Sequence, residues 1–226
     1  MPGKYWHISL PKLNITEINI MNNRTLEIPD ESGVKSLVYY TQPGVESNNY
    51  GLKMIYNSLK NGGTCVFVSS STTSSMIKNQ FWELGLNIVP YYKKFIFVDA
   101  YNPLIMAPSK EKYVVSNPDN IKDFSETIQK LLKEIPSSLI FFDSLSTIMD
   151  LCGEEETIEA VRIWNRVANL YGHDIVYKFT AWPYSRKTLT TIQKELFTAV
   201  ISIGGIAGTL LTHQNSGYPN QIVFNR

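Results

Sequence analysis

Two cysteines and three histidines in 226 residues leave this chain little material for thiol or metal chemistry. Cys65 and Cys152 lie far apart without C-x-x-C spacing, which argues against a disulfide framework and a cysteine-rich zinc site; both are expected to be reduced and buried. His7, His173 and His213 are too dispersed to form a metal or acid–base cluster, and no G-x-S-x-G nucleophile elbow occurs. Charge of one sign is lacking too. The 21 basic and 20 acidic residues leave a net +1, which supplies no bulk attraction to nucleic acid or a membrane surface. The longest apolar stretch, Ala199 to Leu211, is too short to span a bilayer and is broken by glycines. The N-terminus, MPGKYWHISLPKLNITEINI, has no basic region leading into a continuous apolar run, so it does not read as a recognisable signal peptide. A cytoplasmic protein without a metal is expected.

What is present is a hydrophobic content of 43%, enough at this length for one well-buried α/β domain over residues 1–226, with 1–26 as an N-terminal arm. Apolar, β-rich runs alternate with helical patterns from Leu37 onward. Strands are predicted at Leu37–Thr41, Thr64–Ser69, Phe95–Asp99, Leu139–Asp143 and Asp174–Thr180, with a late group at Ala199–Ile203, Gly208–Thr212 and Gln221–Phe224. Such nearly continuous apolar strands suit a parallel sheet covered on both faces. Ile121, Phe124, Ile128, Leu131 and Ile135 recur at helical spacing and predict a helix over Asp119–Glu134, halted before Pro136. A second is predicted over Glu154–Tyr171, with glutamates at its positive end and Gly172 to stop it. Shorter helices are expected to end at Gly62-Gly63 and at Gly85. The arm alternates apolar residues and reads as an added edge strand or a segment docking on a neighbouring subunit.

The segment LVYYTQPGVESNNYGLKMIYNSLKNG places a buried strand, a turn and an amphipathic helix in the order used by phosphate-binding loops. A working loop reads G-x-x-x-x-G-K-[ST]; in register, its signature positions are here Thr41, Glu46, Ser47 and Asn48. With Pro43-Gly44 in the turn, the segment resembles the loop of RecA/KaiC-like ATPases. The resemblance runs from about Glu27 to Arg226. It implies a RecA-like three-layer αβα domain with a mostly parallel sheet and a strand-rich C-terminal end, of a kind prominent in archaea. In that loop a lysine holds phosphate and a hydroxyl reaches Mg²⁺. Ser47 supplies no cation, Asn48 offers the metal only an amide oxygen, and Glu46 about 5 Å from a phosphate would add repulsion on the order of 3 kcal/mol. Lys53, nearly two turns along the helix, is poorly placed to compensate.

The resemblance also picks out LIFFDSLSTIM, in which Asp143 ends an apolar strand as a Walker B aspartate does. Read alone, an acidic residue there equally caps a turn. Ser71 and Thr72 fall where KaiC-like ATPases carry the acid that activates water, and a hydroxyl has no suitable pKa for that role. Asp99 is expected to serve a loop turn. Seven consecutive hydroxyl residues, Ser69 to Ser75, read as a solvated loop before a capped helix or as a phosphorylation segment. Ser47, Asn48 and Asn49 either cap the helix or offer donors to a small anion. Trp182, Tyr184 and Arg186 mix aromatic and basic character in a loop and suit a subunit interface; Arg226 lies near where related chains place basic residues toward a neighbour.

These expectations converge on a pseudo-ATPase: a RecA/KaiC-like regulatory or scaffolding subunit, with Thr41, Gly44, Glu46, Ser47, Asn48, Ser71 and Thr72 as altered site positions. No bound ATP or Mg²⁺ is expected. It would form a homo-oligomer or pair with an active paralogue. The alternatives are an ATPase whose atypical loop is completed by a partner subunit, and a recombinase-like DNA-binding paralogue.

Overall fold

The computed structural model describes residues 35–45 and 48–203, together with the backbone of four strands outside that span, Thr16–Ile20, Arg24–Ile28, Leu210–Thr212 and Asn220–Ile222. The side chain of Asn48, and Glu46, Ser47 and Arg226 altogether, lie outside the described residues. The chain divides into two compact units, Met1–Gly33 and Val34–Arg226. In the first, β1 (Thr16–Ile20) and β2 (Arg24–Ile28) pair antiparallel in a sheet of their own.

The second unit is built on β3 (Ser36–Thr41), β4 (Thr64–Ser69), β5 (Phe95–Asp99), β6 (Tyr113–Val114), β7 (Ser138–Asp143), β8 (Asp174–Thr180), β9 (Ala199–Ile203), β10 (Leu210–Thr212) and β11 (Asn220–Ile222). They form one sheet in the order β11-β10-β9-β3-β8-β7-β4-β5-β6. The seven strands from β9 to β6 are parallel, and β10 and β11 continue the sheet antiparallel. Among the described residues six α-helices accompany it: α1 (Asn48–Lys60), α2 (Ser74–Glu83), α3 (Ile121–Glu134), α4 (Leu145–Cys152), α5 (Glu154–Tyr171) and α6 (Arg186–Lys194).

Two neighbouring residues of β7 show why its central run, Leu139 to Phe142, is apolar. Successive side chains of a strand point to opposite faces. Phe141 points toward α1 at Gly51, while Phe142 stacks on Trp164 of α5, with ring centroids 5.3 Å apart and planes 12° from parallel. Every residue of β3 and β7 is buried. Helices therefore cover both faces, as the RecA-like three-layer arrangement requires.

The helix boundaries follow local chemistry. Thr73, Asn120, Ser144 and Ser185 cap α2, α3, α4 and α6 by accepting a backbone N–H with their side-chain oxygens. Helix α5 has the predicted bounds and ends at Gly172 in the left-handed conformation, φ 74°. Helix α3 starts at Ile121, two residues later than expected, because Asn120 takes the cap.

Three elements depart from the sequence reading. Helices α4 and α6 and the two-residue strand β6 were not expected, and Arg186 opens a helix instead of lying in a loop. The hydroxyl run is not a uniformly solvated loop: Ser69, Ser70 and Thr72 are buried, and only part of the segment faces water. Of the cysteines, Cys65 is buried while Cys152 is half-buried, and neither forms a disulfide. Burial and the nearby Asp119 and Glu156 push the Cys152 thiol up to about 11.

His173 follows α5 and is 1% exposed, its Nδ1 3.0 Å from Ser138 Oγ and its Nε2 2.8 Å from the Leu132 carbonyl. The carbonyl fixes the proton on Nε2, so the Ser138 hydroxyl donates to Nδ1. Burial lowers the imidazole pKa below its ordinary value. In the unfolded chain a histidine gains its proton near pH ~6.5, and here the folded chain gains it only at lower pH, so protonation favours unfolding. Stability is expected to be complete above that ordinary value and to fall as pH drops below it. Thermal melts at pH 7.5 and 5.5 should show a lower Tm at pH 5.5, and His173→Gln should remove that part of the difference.

Candidate functional site

The site expected from the sequence lies where β3, β4, β7 and β8 end beneath α1. Thr41 closes β3, and its hydroxyl donates to the Phe179 carbonyl at 3.1 Å, tying β3 to β8. The chain then turns, with Val45 N–H donating to the Gln42 carbonyl at 3.2 Å. Gly44 holds φ 83° there. A Cβ would meet nothing within 4 Å, so the backbone conformation, and not space, calls for glycine. Helix α1 follows from Asn48.

Asp143 ends β7, and the next residue caps α4. Its main chain is held from β4: Ser70 N–H donates to the Asp143 carbonyl at 3.0 Å, and Ser144 N–H donates to Ser70 Oγ at 3.2 Å. The Asp143–Ser144 peptide is cis. The Asp143 carboxylate is not turned to water. Lys178 Nζ of β8 donates to its Oδ1 at 2.8 Å, with the lysine and aspartate side chains 17% and 10% exposed.

Lys178 was not among the residues singled out in the sequence. It interrupts the apolar stretch IVYKF of β8, and a lysine inside a buried strand requires an anion nearby. That signal was present, but its partner lies 35 residues earlier. Only the adjacency of β7 and β8, with Phe142 level with Tyr177, brings the two together.

The remaining positions divide. Thr72 is buried in a closed turn: its N–H donates to Ser69 Oγ at 3.2 Å, and its carbonyl accepts from the same hydroxyl at 2.7 Å. Ser71 beside it is exposed. Asp99 is fully buried at the end of β5. Its Oδ1 accepts from the N–H groups of Tyr101 and Asn102 at 3.0 and 2.9 Å, and its Oδ2 from Asn102 Nδ2 and Ser109 Oγ, each at 2.6 Å. It serves the loop, as expected.

Trp182 and Arg186 are exposed, Trp182 by 45%. Tyr184 between them is held from within. Its hydroxyl donates to Asp150 Oδ1 at 2.7 Å and lies 3.1 Å from the Ser146 carbonyl, and burial pushes the phenol pKa well up. Ser185 N–H donates to Glu154 at 3.1 Å and Lys187 pairs with Glu155 at 2.7 Å, so the segment is latched to the start of α5.

A family model described as "ATPase: KaiC" matches residues 43–169, a span holding the Pro43-Gly44 turn, the β4–α2 connection and Asp143. The chain belongs to the KaiC family. Relatives in sequence include a UPF0273 protein of Pyrobaculum aerophilum, 28% identical over 109 residues, which are 47% of this chain and 39% of that protein. Another, from Thermotoga maritima, is 28% identical over 47% of this chain and 45% of its own. The matched region thus spans less than half the length of these relatives. Among solved structures, a KaiC-like protein of Pyrococcus horikoshii superposes with a TM-score of 0.59 at 16% identity, covering 84% of this chain and 82% of that one. The flagellar accessory protein FlaH of Methanocaldococcus jannaschii gives a TM-score of 0.58 at 16% identity, covering 84% and 79%. These likenesses bear out the RecA-like fold. Among the described residues no helix is long and apolar enough to cross a membrane.

Proposed function

We propose that this chain is a non-hydrolysing KaiC-family subunit that acts by binding another protein chain, either a copy of itself or an active paralogue. The observation that carries this reading is that, among the described residues, the carboxylates ending β7 and β5 are already engaged. Asp143 is paired with Lys178 and Asp99 is filled by four donors. The connection after β4 carries hydroxyls where a water-activating acid is needed, and a hydroxyl is no general base at neutral pH. The loop lacks the lysine and the hydroxyl of the phosphate-binding signature.

The Mg²⁺ that the family's chemistry uses does not fit the residues present. A divalent cation about 4 Å from the Lys178 ammonium would meet repulsion on the order of 8 kcal/mol at an effective dielectric near 20. With Tyr184 committed internally, Trp182 and Arg186 are the exposed residues of the candidate interface, and Trp and Arg are enriched in such contacts.

Phosphate release from ATP with Mg²⁺ is expected to stay at the buffer rate for the wild type and Asp143→Ala alike. Turnover that Asp143→Ala abolishes would overturn the proposal. A second reading, an atypical nucleotide site completed by a partner subunit, draws support from Lys178, an ammonium held beside the Walker B aspartate. Calorimetric titration with ATP separates the two: micromolar affinity favours the second, and none at millimolar nucleotide favours the first.

A further inference from the structure

Resting on that reading of the site, we propose that Lys178 is a built-in cation that takes the place of a divalent metal at Asp143. Strands β7 and β8 are adjacent and parallel, and the register that sets Phe142 level with Tyr177 sets the next residues, Asp143 and Lys178, level on the α1 face of the sheet. Strand β8 is itself held on its other side by β3, with Lys178 level with Tyr39. The lysine backbone is thus fixed from both sides, and its ammonium is delivered to the carboxylate with no loss of translational freedom. A metal ion arriving from solution has no such advantage.

The pair is neutral as a unit and mostly shielded from solvent. An incoming cation finds the Asp143 carboxylate already paired with an ammonium, and among the described residues Asp99, at the end of β5, is filled by its own loop. The aspartate keeps the place of a metal-linked residue while its charge is spent inside the fold. Lys178 is a positioning residue in this scheme: it acts on the site through Asp143.

The test is Mn²⁺ binding followed by electron paramagnetic resonance on the whole chain, with fold checked by circular dichroism. The wild type is expected to bind no Mn²⁺ through Asp143 at 1 mM metal. Lys178→Met is expected to bind Mn²⁺ at least tenfold more tightly than the wild type, Lys178→Arg to stay like the wild type, and Lys178→Met with Asp143→Asn to lose the gain. If the methionine variant does not fold, Lys178→Gln takes its place. Wild-type binding that Asp143→Asn removes would overturn the inference, and so would a folded, lysine-free variant with no gain. Wild-type Mn²⁺ binding without ATP hydrolysis sinks this inference alone; ATP turnover abolished by Asp143→Ala sinks the functional reading beneath it.

Discussion

Replacing Lys178 by methionine is expected to lower the unfolding free energy by about 3–5 kcal/mol, the range for removing one member of a buried ion pair. The loss arises less from the attraction forgone than from Asp143, which is left 10% exposed with its counter-charge gone. Combining Lys178→Met with Asp143→Leu should recover most of it, since two apolar side chains leave no charge to solvate. Denaturant unfolding of the wild type, both single variants and the double variant closes the cycle. A double variant as unstable as the sum of the singles would mean that the two residues act independently, against the 2.8 Å contact.

Gly51→Ala should destabilise by about 1–3 kcal/mol, although alanine is the better helix former by about 1 kcal/mol. A Cβ at position 51 would lie 2.2 to 2.8 Å from three carbons of the Phe141 ring. That ring cannot give way easily: it is 3% exposed and packs on Phe67 at a centroid distance of 5.5 Å. Helix α1 must then lift from the sheet, so Gly51→Val is expected to prevent folding. Phe141→Leu should restore part of the stability lost in Gly51→Ala, because it clears space at the point of contact. Denaturant midpoints of the single and double variants measure both effects, and a stabilised Gly51→Ala would contradict the close approach.

The parts of the fold legible in the sequence are those whose physics is local. Strands β4, β5, β8 and β9 run where continuous apolar residues lie between polar or glycine-rich turns, and α5 ends where glycine takes a positive φ. Helix α6 was not legible because its buried face is Thr188, Thr191 and Ile192, two of them threonines that carry no apolar stripe. Helix α4 begins directly after a strand with mostly apolar residues, so periodicity does not separate it from β7. At the site, Asp143 was legible as the acidic end of an apolar strand. Its partner was not, because the pairing depends on which strands become neighbours. The same holds for Tyr184, whose aromatic and polar neighbours suggested a surface while its bond to Asp150 spans 34 residues.

The position of β3 in the sheet order bears on how the chain assembles over time. It is the first strand of its sheet along the chain, yet both of its neighbours, β8 and β9, are made of residues from Asp174 onward. During synthesis the early strand waits, unpaired and apolar, until the residues from Asp174 onward have left the ribosome. Its closure is among the longest-range events available to the chain, which places acquisition of the sheet late and makes it slow relative to helix formation. In that interval β3 is an unpaired apolar strand of the kind that chaperones shield.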